Sequence, residues 1–384
     1  MKAVVLSLMS AVSAVLCGSA DTADLDFLTR HQPVAHRGVV TDAYLRENVA
    51  LAQEARATAP WKDQLTDELY REHILPYTVI DEDVDRWRPK FRALFWPMVK
   101  DCRTIKEAAA ILATNVWPTV GVRYDVRRDK ANQSPLHSMR IHMASCTGLA
   151  ILQIDAFRAC GIPARLTGCN WTPIPGNHSW LEYWDGGAWH FFGDPDGDNP
   201  PPVDSCWFTD YAARADETDP RTRIYATRWS PNPQGIRFWA TWDGTDRPSA
   251  VNADDVTESY RRFRKETTAG RVGFVARGPD GRRQPTAFRV VLSGSHKVVY
   301  EGKTYDESHD MNDHVLVEQP VGTKAYVQTK NADGSWQEPE MVEFADRQKV
   351  HSFKVAPYRS GAYGDVGWCG APGGRALPCQ AEPW

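Results

Sequence analysis

The sequence predicts an α+β protein in three parts: a helical N-terminal region, a mixed core built around one buried helix, and a C-terminal β-sandwich. Three observations carry that expectation. Apolar residues recur at three- and four-residue spacing through ATPWKDQLTDELYREHILPYTVI and RTIKEAAAILATNVWP, the period of amphipathic helices. The stretch TGLAILQIDAFRAC is apolar nearly all round, as a helix enclosed in a core must be. From about residue 270, alternating runs such as RVGFVAR, TAFRVVLS and TKAYVQTK are separated by turn signals such as GPDG, PVG and NADG, the pattern of a sandwich.

Taken in order, residues 1–20 read as a cleaved secretory signal, with Lys2 as the charged start, an apolar run from Ala3 to Leu16, and Gly18-Ser19-Ala20 as the small-residue cleavage site. A lipoprotein anchor at Cys17 is the weaker reading, because Leu16 stands where a small residue is wanted. A secreted or periplasmic location follows, and no later run reaches the ~20 apolar residues of a membrane helix. The mature chain of about 360 residues exceeds one ordinary core. Its expected divisions are a helical region over 21–110, a core over 111–262, a sandwich over 268–356 and a Gly/Pro-rich tail over 357–384. Against 49 acidic residues stand 45 Lys plus Arg, for a net charge of −4. No basic stripe results, and nucleic acid is excluded as a partner.

The eight cysteines lose Cys17 with the signal, leaving Cys102, Cys146, Cys160, Cys169, Cys206, Cys369 and Cys379. An oxidising compartment favours pairing, yet an odd number leaves at least one thiol free. Cys369 and Cys379 flank a Gly/Pro-rich stretch and are expected to close a small loop, while Cys102, Cys160, Cys169 and Cys206 suffice for two bridges of open connectivity. Cys146 is the odd one.

Cys146 lies at the amino end of the buried helix, which Ser145 can cap and Gly161 with Pro163 can end. There the helix dipole favours a thiolate and would lower the thiol pKa, and free N–H groups can hold an oxyanion. A base follows in GNHSWLEYWDGGAWHFFGDPDGD. His178, Trp180, Glu182 and Trp184 alternate with Ser179, Leu181 and Tyr183, so His178 starts a strand. A three-residue loop Asp185-Gly186-Gly187 would set Trp184 opposite Ala188 and His178 opposite Asp194, ~5 Å apart at Cβ. A two-residue loop would send Asp194 to the other face. Asp196 shares the face of Asp194, and Glu182 reads as a structural residue of the strand.

The run SCTGLAILQIDAFRACGIPARLTG followed by GNHSWLEYWDGGAWHFFGDP resembles the transglutaminase-like superfamily, most specifically in GIPAR and in the His-x-Trp-x-Glu strand. Together with ILPYTVIDEDVDRWRPKF and RYDVRRDKANQSPLHSMRI, which resemble a secreted bacterial branch, the similarity covers roughly residues 65–260. The resemblance implies a papain-like core with Cys146 as nucleophile, His178 as base and Asp194 as orienting acid. The backbone N–H of Cys146 is the default oxyanion donor; Gln133 is a second candidate, and Trp180 a candidate for the substrate site.

A Cys/His pair of this kind attacks an amide carbonyl and passes through a thioester. Amine resolution gives a transglutaminase, water resolution a protease or amidase, and fold alone does not choose. The expected substrates are protein, peptide or peptidoglycan-like amides, with water the somewhat favoured acceptor. The alternative is a catalytically inactive secreted module that binds protein or glycan. No cofactor and no metal are expected: DPDGDNPPPVDS has Asn199 where an EF-hand loop needs Gly and Ser205 where it needs Glu, and His137 and His142 are wrongly spaced for a helical ligand pair.

Overall fold

The computed structural model describes residues 22–171, 176–192, 201–239, 247–264, 268–331, 333–346 and 349–354. The expected signal, the Cys369–Cys379 loop, Asp194 and Asp196 lie outside them. Seven helices lead into and through the core: α1 (Thr22–Arg30), α2 (Asp42–Thr58), α3 (Asp67–His73), α4 (Trp87–Val99), α5 (Ile105–Val120), α6 (Pro135–Ile141) and α7 (Cys146–Ala159). Threonine caps start several of them, with Thr41, Thr66 and Thr104 each accepting from a backbone N–H of the first turn. The division expected at residues 110–111 falls inside α5. One hydrophobic cluster runs from Leu25 on α1 through α7 to Ala253, so the N-terminal helices and the core share their apolar interior.

A parallel pair, β1 (Arg123–Tyr124) and β2 (Met143–Ala144), leads into α7. Every residue of α7 from Thr147 to Ala159 is buried, as its apolar circumference requires. Ser145 Oγ accepts from the N–H of Gly148 at 3.0 Å, and Gly161 turns the chain away at φ +76. Both ends agree with the sequence. A Cβ on residue 161 would stand 2.5 Å from Ala55 O. Gly161→Ala is therefore expected to destabilise by about 2 kcal/mol, from left-handed strain plus the clash, as a lowered urea midpoint.

Helix α7 packs against a five-stranded sheet of order β5-β4-β3-β6-β7: β3 (Ala164–Asn170), β4 (Asn177–Asp185), β5 (Ala188–Phe191), β6 (Tyr225–Thr227) and β7 (Ala253–Asp255). The β4–β5 hairpin corrects the expected register. Asp185 pairs with Ala188 and Trp184 with Trp189, so the loop has two residues. Gly186 and Gly187 both take positive φ, +57 and +89, the twist-matched geometry of a two-residue hairpin. The ladder ends at Glu182–Phe191, and Phe192 then bridges Val203. His178 has its partner on β3, opposite Cys169, and no partner on β5.

The C-terminal part is a β-sandwich. One sheet has the order β10-β9-β12-β13 and the other β11-β8-β14, formed by β8 (Ala269–Arg277), β9 (Ala287–Leu292), β10 (Val298–Lys303), β11 (Val315–Pro320), β12 (Lys324–Thr329), β13 (Glu340–Glu343) and β14 (Lys349–Lys354). Phe274, Phe288, Val290, Val317, Val327 and Phe353 fill the space between the sheets. The loop between β10 and β11 bonds to the core through Asp310 and Asn312 and lines the same cavity as Cys146, which makes it part of the site.

Candidate active site

Cys146 and His178 meet on one cavity of about 1300 Å³. Cys146 is the first residue of α7, and His178 is the second of β4. The cavity walls come from the core through Tyr124, Trp180 and Trp207 and from the β10–β11 loop through Asp310. A site built this way joins a helix end, a strand start and a loop of the sandwich.

His178 sits in an aromatic enclosure. Its ring stacks on Trp180 at 5.8 Å and 23° and on Trp171 at 6.4 Å and 26°, with Trp207 and Phe208 tilted against it at 4.8 and 4.7 Å. Among the described residues no group hydrogen-bonds the imidazole. Burial pushes its pKa down to about 3, and the Asp310 charge pulls the other way. Burial also pushes the Cys146 thiol above its usual 9.0; the N–H groups of Ser179 and Thr147 pull it down, and Asp310 adds to the rise. The expected lowering of the thiol by the helix start is thus outweighed by enclosure. At neutral pH the pair is thiol and imidazole, both uncharged.

The other residues singled out in the sequence are placed as follows. Trp180 is a wall of the cavity, and its indole N–H donates to Tyr260 Oη at 2.7 Å, which leaves it no donor for an oxyanion. Tyr260 in turn donates to Glu182 at 2.5 Å, and Arg165 pairs with Glu182 at 2.7 Å, both side chains buried. Glu182 is structural, as its sequence position implied. Gln133 is fully buried, donates from Nε2 to Met143 O at 3.2 Å and is not a wall of the cavity; an oxyanion role for it has no geometric support. The N–H groups of Cys146 and Thr147 stand in the first turn of α7 with no carbonyl inside the helix to reach.

All five described cysteines, Cys102, Cys146, Cys160, Cys169 and Cys206, are free thiols. The two bridges expected among four of them are absent from the described residues. Cys102 packs on the cluster that contains Cys160, and Cys206 on the one that contains Cys169. Burial holds the Cys160 thiol up at about 12. Among the described residues no group of His, Cys, Asp or Glu is arranged to hold a metal ion, and no helix is long and apolar enough to cross a membrane.

Sequence reasoning missed Tyr124, Trp171, Trp207, Asp310 and Asn312. The Tyr124 hydroxyl donates to the Asp310 carboxylate, and Asn312 bonds to both Trp171 and Asn177. Only the aromatic density of SCWFTDY, in which Trp207 and Phe208 stand, hinted at an enclosure.

Comparison with known proteins adds to this geometry. No curated protein matches the chain. Among solved structures, a Cytophaga hutchinsonii protein described as a candidate cysteine protease is 23% identical at a TM-score of 0.24, covering 30% of this chain and 39% of its own. The TIE protein of Bacillus anthracis is 14% identical at 0.19, over 51% of this chain and 30% of its own. The major pilin subunit BcpA of Bacillus cereus is 12% identical at 0.16, over 35% and 37%. These partial likenesses carry no argument about activity. The model of the Transglutaminase-like superfamily core matches residues 97–193, a segment that holds both Cys146 and His178 and stops one residue before Asp194. The chain therefore carries a transglutaminase-like core over residues 97–193.

Proposed function

We propose that the chain is a cysteine-dependent acyl-transfer enzyme acting on amide bonds of protein or peptide substrates. The observation that carries this reading is the meeting of Cys146 at the start of α7 with His178 at the start of β4 on one roomy cavity. The imidazole takes the thiol proton as sulfur attacks the amide carbonyl, and the oxyanion forms beside the free N–H groups of the first helical turn. The tetrahedral intermediate collapses to a thioester while the imidazolium protonates the departing amine. A second amine then gives transamidation, and water gives hydrolysis, the acceptor we favour. Asp194 is the orienting acid by resemblance alone, since the two-residue loop removes the cross-strand pairing with His178 that a three-residue loop would have given it. The signal-like residues 1–20 support a secreted or periplasmic setting in which peptide or peptidoglycan-like amides are the substrates.

Intact-mass analysis of the mature protein incubated with dimethylcasein, with and without a dansyl-labelled primary amine, tests the reading. An acyl adduct on Cys146 that hydroxylamine removes is expected, and none on Cys146→Ser. Dansyl incorporation would identify an amine acceptor, and carboxylate release would identify water. A folded wild type that binds these proteins and never acylates would leave the binding-module reading standing.

A further inference from the structure

The sandwich reaches the start of the catalytic strand through the β10–β11 loop, where Met311 Sδ accepts from Asn177 Nδ2 at 3.6 Å and Asn312 makes the shorter contacts. Asn312, on the β10–β11 loop, accepts at Oδ1 from the Trp171 indole N–H at 2.9 Å and donates from Nδ2 to the Asn177 carbonyl at 2.8 Å. Trp171 Nε1 can only donate and a carbonyl can only accept, so both partners dictate the same orientation of the amide. Trp171 is the ring stacked on His178, and Asn177 is the residue before it. Asn312 thus ties down an aromatic neighbour of the imidazole and the backbone that carries it.

The loop that presents Asn312 is itself held firmly. Arg283, a buried residue of the sandwich, donates through Nη1 to Asp310 O and through Nη2 to Met311 O, both at 2.7 Å. The Asn312 N–H donates to Asp310 Oδ1 at 2.8 Å, and His314 Nδ1 lies 2.9 Å from Asn312 O. On the other side, Trp171 N–H donates to Gly176 O at 2.9 Å, just before β4 begins at Asn177. Gly176 has φ +130, and a Cβ there would collide with Asn312 Oδ1. The two segments are fitted to each other at a residue position where a side chain would collide.

We propose that Asn312 is a positioning residue for His178: the sandwich sets the orientation of the base through the Asn312 amide, so the C-terminal unit is part of the machinery of the core. The proposal rests on His178 being the base. Its reach follows from packing: Trp171 stacks on the imidazole and Asn177 carries the strand backbone into it, so both bear on the angle of the ring alongside the orienting acid. Small errors of placement at a reacting group are costly.

The test is Asn312→Ala in the full mature chain, beside Asn312→Asp and Gly176→Ala. Asn312→Asp keeps the acceptor for Trp171 and loses the donor to Asn177; Gly176→Ala displaces the amide without altering it. We expect kcat to fall about 10- to 100-fold in Asn312→Ala with KM nearly unchanged, the same pattern in Gly176→Ala, and a smaller loss in Asn312→Asp. NMR of histidine- and tryptophan-labelled protein supplies a readout that needs no turnover. The His178 ring and Trp171 indole resonances should shift in Asn312→Ala, and His178, silent above pH 5 in the wild type, should begin to titrate as water reaches it. Unchanged His178 resonances overturn the proposal, whether or not the wild type turns over, and so does a loss confined to KM, which would make Asn312 a substrate contact. A wild type without acylation, combined with shifted His178 resonances, would refute the proposed activity and retain the clamp.

Discussion

His178→Ala is expected to slow acylation of Cys146 by substrate about 10³-fold, the usual worth of a placed general base, while leaving alkylation of the same thiol by iodoacetamide little changed. The two effects separate because the resting pair is neutral. Iodoacetamide reacts with thiolate, and the thiolate fraction is set by a thiol that burial holds above 9.0; the base matters only when it takes the proton during attack. For the wild type, alkylation of Cys146 should therefore rise through a midpoint above 9.0. The sign for the base is equally clear: its folded pKa, pushed down to about 3, means that His178 gains its proton only in strong acid, and no inflection near 6.5 should appear in kcat/KM. Peptide mass spectrometry on both proteins from pH 5 to 10 gives the alkylation curves. A reactive plateau extending below pH 6 in the wild type and lost in the variant would mean a preformed thiolate–imidazolium pair, and the neutral pair would have to be abandoned.

The parts of this site that the sequence declares are those whose causes are local. An all-apolar helical run, a serine before it and a glycine after it specify α7 within seventeen residues, Ser145 to Gly161, and alternation specifies β4. The hairpin register is also local, but Gly186-Gly187 supports two loop lengths, and the choice between them depends on the twist of the flanking strands. Strand β13 escapes because Glu340–Glu343 carries charge at both ends and has mostly exposed residues, so it shows no apolar face. Neither Asp310 nor Asn312 announces itself. The contact between Asn312 and Trp171 joins residues 141 positions apart, and nothing in the composition of DESHDMNDH marks one amide as different from a polar loop residue. The raised thiol is invisible for the same reason: the helix start that would lower it is local, while the enclosure that raises it is assembled from β4, the segment around Trp207 and the sandwich.

Arg158→Leu is expected to cost about 3–5 kcal/mol of stability, the usual result of breaking a buried, hydrogen-bonded charge cluster from one side. Arg158 lies near the end of α7 and is almost wholly enclosed. Its Nε donates to His73 O and Ala164 O at 3.1 Å, and its Nη1 to Thr78 O at 2.9 Å. One guanidinium thereby fastens the chain after α3 and the first residue of β3 onto the catalytic helix. A leucine fills similar volume and leaves three buried carbonyls without that donor. Lysine cannot restore them, since an ammonium lacks the planar fork that reaches three oxygens. The loss should also depend on pH. Burial raises Asp155 well above 3.8 and Glu82 to about 7, with the Arg158 charge opposing the rise at Asp155. Groups raised in this way stabilise the fold below their unfolded values, and that contribution is lost as pH climbs through the folded ones. Removing the cation drives Asp155 higher still, so the deficit of Arg158→Leu should widen in urea titrations as pH rises above the folded value of Asp155 in the wild type. A deficit under about 1 kcal/mol at pH 7 would show that the three carbonyls find other donors, and a deficit flat in pH would show that Asp155 does not depend on Arg158.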